Sequence, residues 1–251
     1  WLISTAARAN QTIYFEFVDL DLEDHATCDY DRIEFSAPLI DSNAVYNTVC
    51  GRRRPLPYFA LPTTTVDVVF QSDDVGHGTF NMSYGIKPCG GYISGTSQGT
   101  IVSPNYPDTY NGDDYCVWLI EAEPGHSISV QFDLNAFDVE QGGSDCVFDA
   151  VSLYNGPSIK SPEIGRYCNN TMPPATAVHT SSNYLTILFT TDFSIDHGGF
   201  VINWMTDNSG CGNQLIHSEY GSIQSPNYPN MYPANSNCFW TIFTNPSDHI
   251  K

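Results

Sequence analysis

Positive charge is scarce in this 251-residue sequence: nine lysines and arginines stand against 28 aspartates and glutamates, a formal charge of −19. A surface so poor in cations repels nucleic acid and anionic lipid, so neither is an expected partner, while cationic proteins and metal ions are. Long apolar runs are also missing. No stretch of about 18 apolar residues occurs, so direct membrane insertion is not expected. Residues 1–9 lack a charged region followed by an apolar one, so a signal segment and any anchor are expected to lie outside this stretch. No two cysteines stand two to four residues apart, the spacing with which one turn supplies two zinc ligands. The seven histidines, at 25, 77, 126, 179, 197, 217 and 249, form no His-Glu-x-x-His pair and read as surface or loop residues. No segment keeps a helical period for three turns, which excludes a helix bundle.

What is present argues for a folded, oxidised, repetitive chain. Hydrophobic residues make up 41% and aromatics 13%, enough for two or three small cores. Eight cysteines at 28, 50, 89, 116, 146, 168, 211 and 238 are separated pairwise by 22, 27, 22 and 27 residues. Eight cysteines allow 105 pairings, and the alternating gaps favour Cys28–Cys50, Cys89–Cys116, Cys146–Cys168 and Cys211–Cys238. Structural disulfides imply an extracellular or other oxidising compartment. Glycosylation sequons at Asn10, Asn81 and Asn169 agree with a secretory route.

Self-similarity organises the chain. Gly99-Thr-Ile-Val-Ser103-Pro-Asn-Tyr-Pro107 recurs as Gly221-Ser-Ile-Gln-Ser225-Pro-Asn-Tyr-Pro229, and Cys89 and Cys116 recur at the same offset as Cys211 and Cys238. The front of the chain matches the middle: Trp1 falls on Trp118, Phe15 on Phe132, Glu23 on Glu140, Cys28 on Cys146, Asp31 on Asp149 and Asp73 on Asp192. Three repeats are therefore expected: 1–87, lacking its opening segment and first disulfide; 88–207, complete; and 208–251, the start of a third. The chain is expected to be part of something longer.

Within a repeat, Ser127–Leu134 alternates with period two, as a strand with one buried face does. Val66–Phe70, Tyr184–Phe189 and Phe200–Trp204 are short β-branched or aromatic runs separated by Gly, Pro, Asn and Asp clusters. The fold class is all-β, built of sandwich repeats.

The opening Cys89-Gly90-Gly91, Ser103-Pro-Asn-Tyr-Pro107, Cys116-x-Trp118, Cys146-x-x-Asp149, Tyr167-Cys168, and Asp192-x-Ser194 before Gly199-Phe200 resemble the CUB domain family across essentially the whole chain. The resemblance implies an antiparallel, jelly-roll-like sandwich of roughly ten strands per domain, with two disulfides near opposite ends. It also implies Ca2+ binding. The family's calcium-coordinating Glu and Asp residues match Glu140, Asp149 and Asp192 in the middle repeat, and Glu23, Asp31 and Asp73 in the first. Tyr110 matches a tyrosine that supports the site, as does Tyr232 in the third repeat. The family often has Asn or Asp just after Asp-x-Ser, where Ile195 stands here, so a backbone carbonyl, for instance at Ser194, is expected to complete the middle set. Calcium takes six to eight oxygen ligands, which needs carboxylates from several loops.

Other signals carry less. Gly95-Thr96-Ser97-Gln98-Gly99 fits a nucleophile-elbow string but is followed by Ser-Pro rather than a helix pattern. Asp19–Glu23 opens like an EF-hand loop, yet position six is Asp24 and position twelve Tyr30. Arg52-Arg53-Arg54 reads as a solvated loop. The expected function is a non-catalytic, extracellular, calcium-dependent receptor module that engages Lys or Arg of protein ligands and packs beside neighbouring CUB repeats. Two alternatives stay open: a matrix, coat or filament protein of self-associating repeats, and a non-catalytic segment of a CUB-containing protease.

Overall fold

A computed structural model describes residues 1–4, 11–37, 45–52, 58–76, 78–123, 125–207, 213–216, 223, 225, 228, 231–232 and 240–243. Two compact units divide the chain, one of residues 1–92 with 115–118 and the other of 93–114 with 119–251. Both are nearly all β.

The first unit contains β1 (Leu2–Ser4), β2 (Thr12–Asp21), β3 (Arg32–Ser36), β4 (Val45–Val49), β5 (Tyr58–Leu61), β6 (Thr65–Gln71) and β7 (Thr79–Lys87). They form a four-stranded sheet ordered β1, β6, β3, β4 and a three-stranded sheet ordered β5, β2, β7, both antiparallel. Period-two alternation puts Ile13, Phe15 and Phe17 of β2, Ile33 and Phe35 of β3, and Val66 and Val68 of β6 on inner faces, where they share one core. Phe15 of one sheet meets Phe35 of the other with ring centroids 4.8 Å apart, and Phe59 stands 4.9 Å from Phe35. Such edge-to-face rings add to the area buried.

Next come β8 (Gly91–Ser94), β9 (Gln98–Val102), β10 (Tyr115–Glu121), β11 (Ser127–Phe132), β12 (Ala150–Tyr154), β13 (Glu163–Tyr167), β14 (Val178–His179), β15 (Tyr184–Thr190) and β16 (Val201–Asp207), all in the second unit except residues 91–92 of β8 and 115–118 of β10. Two antiparallel sheets result, ordered β13, β12, β15, β10, β8 and β14, β11, β16, β9. Ile128, Val130 and Phe132 of β11 and Ile202 and Trp204 of β16 are buried, as are Val151, Leu153, Ile187 and Phe189 of the facing sheet. Phe132 meets Tyr167 at 5.2 Å and Phe189 meets Phe200 at 5.1 Å, tying the layers together. The strand expected over 127–134 ends at Phe132. The Asp133 side chain accepts the Asn135 N–H and caps a single turn of 3-10 helix, Leu134–Ala136, which diverts the chain. Further on, β17 (Asn213–Ile216) and β18 (Trp240–Phe243) pair in parallel.

Disulfides join Cys28–Cys50, Cys89–Cys116 and Cys146–Cys168, with Cα–Cα distances of 5.6, 5.4 and 5.7 Å, inside the normal range. Cys211 and Cys238 lie outside the described residues.

The Ser103-Pro-Asn-Tyr-Pro107 segment turns the chain so that Tyr110 enters the core. Ser103 and Phe200 are joined by two hydrogen bonds, the Ser103 N–H to the Phe200 carbonyl at 3.1 Å and the Phe200 N–H to the Ser103 side-chain Oγ at 3.1 Å. Gly199, at φ +90°, leaves the room: a Cβ there would collide with Ser103 Oγ. Tyr110 is then fully buried against Phe189, ring centroids 5.1 Å apart. Because Phe189 touches both Tyr110 and Phe200, Phe189→Ala should cost about 3–5 kcal/mol, seen as a lower urea midpoint for the second unit.

Candidate metal centre

Each unit ends in a tip where its strands turn over. In the second unit, Glu140 sits between the short helical turn and β12, Asp149 immediately precedes β12, and Asp192 follows β15. One carboxylate oxygen from each lies within 4.8 Å of the others. Glu23, Asp31 and Asp73 form the same set in the first unit, after β2, before β3 and after β6.

The arrangement is specified by hydrogen bonds that repeat between units. The Asp192 N–H donates to Asp149 Oδ1 at 2.8 Å, and the Asp73 N–H donates to Asp31 Oδ1 at 3.2 Å. Each late aspartate then accepts a backbone N–H two residues on, Ser194 to Asp192 Oδ1 and Val75 to Asp73 Oδ1, both at 2.7 Å. Ser194 also directs its hydroxyl at Asp192 Oδ1, 3.2 Å away. Cys28 and Cys146 both adopt left-handed backbone, φ 54° and 47°, three residues before the buried aspartates. L-residues avoid that region, so its recurrence at matched positions shows the tip fixing the turn.

Tyr110 supports the second tip from below. Its hydroxyl donates to Asp149 Oδ2 at 2.5 Å and accepts the Glu140 N–H at 3.0 Å, so one phenol orients two of the three acids. Burial, then the bond to Asp149, pushes the Tyr110 hydroxyl far above its ordinary value and keeps it a donor. Burial raises Glu140 above the usual carboxylate range, helped by the charges of Asp149 and Asp192. Asp149 is raised by burial as well, against the opposing bonds from Tyr110 and the Asp192 N–H. Glu140 is 6% exposed, yet its Oε2 has no hydrogen-bond partner among the described residues, and neither has Oε2 of Glu23. A buried, unpaired carboxylate oxygen in a cluster of three acids could serve as a ligand atom for a cation.

A second layer was invisible as such in the sequence. Asp138 accepts from Asn169 Nδ2 at 2.9 Å and from the Gly198 N–H at 3.0 Å, and pairs with His197 Nδ1 at 2.9 Å. Although burial pushes the other way, these partners hold Asp138 below its ordinary value. Asn169 Oδ1 in turn accepts the Val139 N–H at 3.0 Å, so this side chain, which reads as a sequon asparagine, braces the segment carrying Glu140. Only the adjacency of Asp138 to Glu140 and of His197 to the Asp192 loop hinted at the pair. Gly112 lets its loop close over Asp192, since a Cβ there would stand 2.9 Å from the Asp192 carbonyl oxygen. Of the remaining site residues, Asn81 is exposed on β7, Tyr232 is exposed, and Asn10 lies outside the described residues.

The CUB domain model matches residues 1–84, 89–204 and 211–251. Cubilin of Sus scrofa is 38% identical over 252 residues, covering 100% of this chain and 7% of that protein. Cubilin of Homo sapiens is 36% identical over the same extent, so the chain spans about 7% of the length of these relatives. Among solved structures, the MASP-1 CUB2 domain bound to Ca2+ is 28% identical, covering 47% of this chain and 99% of that one, with a TM-score of 0.41.

Two substitutions test the geometry. Tyr110→Phe strands Asp149 Oδ2 and the Glu140 N–H and should lower stability by about 2–3 kcal/mol in urea titrations. Ile195 holds φ 60°, which a β-branched residue tolerates poorly and asparagine accepts, so Ile195→Asn should raise stability by about 1 kcal/mol, read as a higher melting temperature.

Proposed function

The chain belongs to the CUB domain family, and from that premise we propose that it is a non-catalytic, extracellular protein-binding segment whose tips are organised by Ca2+. The repeat boundaries we adopt are 1–87, 88–207 and 208–251. Its disulfides suit an oxidising environment. One observation carries the reading: a Glu and two Asp converge in both units, each set with a buried glutamate oxygen left unpaired. Hard oxygen donors from separate loops suit calcium better than softer metals.

Glu140, Asp149 and Asp192 would hold the ion in the second unit, with Ser194 contributing backbone, and Glu23, Asp31 and Asp73 would hold it in the first. Bound Ca2+ supplies the positive charge that lets three carboxylates share one tip. The protein's own groups do the rest: Tyr110 and the Asp192 N–H fix the Asp149 carboxylate, and the Cys146–Cys168 disulfide ties the loop between Glu140 and Asp149 to the end of β13. Carboxylate oxygen left facing outward at half-buried Asp192 and exposed Asp73 would receive a Lys or Arg of a protein ligand. Several such weak contacts gain strength when repeats are arrayed in tandem.

Isothermal titration of the chelator-treated chain should find two calcium ions per chain, and Glu140→Gln should leave one. Absence of heat or of any melting shift at millimolar calcium would count against the reading. Calcium at about 100 times its dissociation constant should stabilise each site by about 2.7 kcal/mol. Raised folded values for Glu140 and Asp149 set the pH dependence without calcium. Their contribution is fully present below the unfolded carboxylate range and is lost as pH rises through the folded values. Glu140→Gln should therefore leave the calcium-free protein no less stable at neutral pH. The calcium-induced melting shift should shrink as pH falls toward that range and protons compete for the same oxygens.

A further inference from the structure

The two acidic tips carry different rims. In the second unit, the positions between Cys146 and Asp149 are Val147 and Phe148, and Asp192 is followed by Phe193 and, beyond Ser194, by Ile195. These four side chains are 65%, 48%, 83% and 64% exposed. At matched positions the first unit has Asp29 and Tyr30 inside Cys28–Asp31, and Asp74 directly after Asp73. Asp29 and Asp74 are exposed.

Exposed apolar residues scattered singly need no explanation, but four concentrated on two loops are another matter. Both loops are bound to the tip: the Val147 N–H donates to the Gly142 carbonyl at 3.1 Å, and the Asp113 N–H donates to the Asp192 carbonyl at 2.7 Å. The apolar side chains thus stand one to three residues from acids whose oxygens lie within 4.8 Å of each other. Ile195 is held outward by a left-handed backbone that disfavours it, with φ 60°.

We propose that the second-unit tip recognises a protein segment in which one lysine or arginine is flanked by bulky apolar side chains. Val147, Phe148, Phe193 and Ile195 supply contact area, and the carboxylates of Glu140, Asp149 and Asp192 supply charge. This rests on the calcium-organised reading of that tip. Charge complementarity favours a cationic partner, since three acids converge beside these exposed apolar side chains and the chain carries −19 overall. Desolvation by the adjoining apolar side chains strengthens an ionic contact made beside them, as in a hot spot. The first tip keeps exposed Tyr30 and Val75 but has Asp29 and Asp74 in place of Val147 and Phe193, which suits a more highly charged partner.

The test uses the full chain and immobilised peptides read by surface plasmon resonance in calcium. One peptide is Gly-Phe-Leu-Lys-Leu-Phe-Gly, a second replaces the flanks with serine, and a third replaces lysine with norleucine. The first should bind, and the other two should bind roughly tenfold more weakly or worse. Phe193→Ser combined with Ile195→Asn should reduce binding of the first peptide to the level of the serine-flanked one while the calcium-induced melting shift persists. Equal affinity for flanked and unflanked lysine, no binding by any peptide, or indifference to the double substitution would overturn the proposal. A missing calcium shift would sink the underlying reading, whereas a normal shift with flank-independent binding sinks only the present inference.

Discussion

Like charges brought together out of water must be held by something other than themselves. Two carboxylates about 4–5 Å apart repel by roughly 4 kcal/mol at the effective dielectric of a protein surface. Three share each tip here, and burial adds to the cost. The opposing attraction comes from the scaffold. A phenol from the core bonds Asp149 and the Glu140 amide, a backbone amide bonds Asp149, and a disulfide closes the loop behind them. The sandwich beneath is rigid because its two sheets interlock through aromatic pairs such as Phe189 with Phe200, and that rigidity lets loop residues keep a costly arrangement.

Repetition shows which parts of this arrangement are constrained. Both units keep the Glu and two Asp, the hydrogen bond from the late aspartate's N–H to the buried aspartate's carboxylate, the left-handed cysteine and the disulfide it enters. The rim changes from Asp29 and Asp74 to Val147 and Phe193, and these side chains touch solvent rather than the acids' bonding network. A framework of hydrogen bonds with a variable periphery can keep one binding chemistry while altering which partner it selects. Specificity of that kind is a difference between affinities, and both added contact area and misplaced charge contribute to it.

Much of this was legible from residue order. Alternation in Ser127–Leu134 marked β11, and the β-branched runs at Val66–Phe70 and Tyr184–Phe189 fell on β6 and β15. The end of β11 was not legible, because the turn at Leu134 follows from where the Asp133 side chain bonds rather than from hydrophobic pattern. The bracing of Glu140 through Asp138, Asn169 and His197 was also hidden: these residues are separated by some thirty or more positions and meet only when β12 and β15 are in place.

The sequence alone determined the β class, the repeat pattern and which acids recur in register, and its spacing favoured the three short-range cysteine pairs seen among the described residues, since each depends on periodicity or spacing along one chain. Tertiary structure decided what a linear order cannot contain. It buried Glu140 with one oxygen unpaired and turned the Tyr110 hydroxyl onto Asp149. It also left Phe193 and Ile195 facing solvent beside the acids. Burial and direction are set by how two sheets pack and where their loops cross, and residues far apart in the chain fix both.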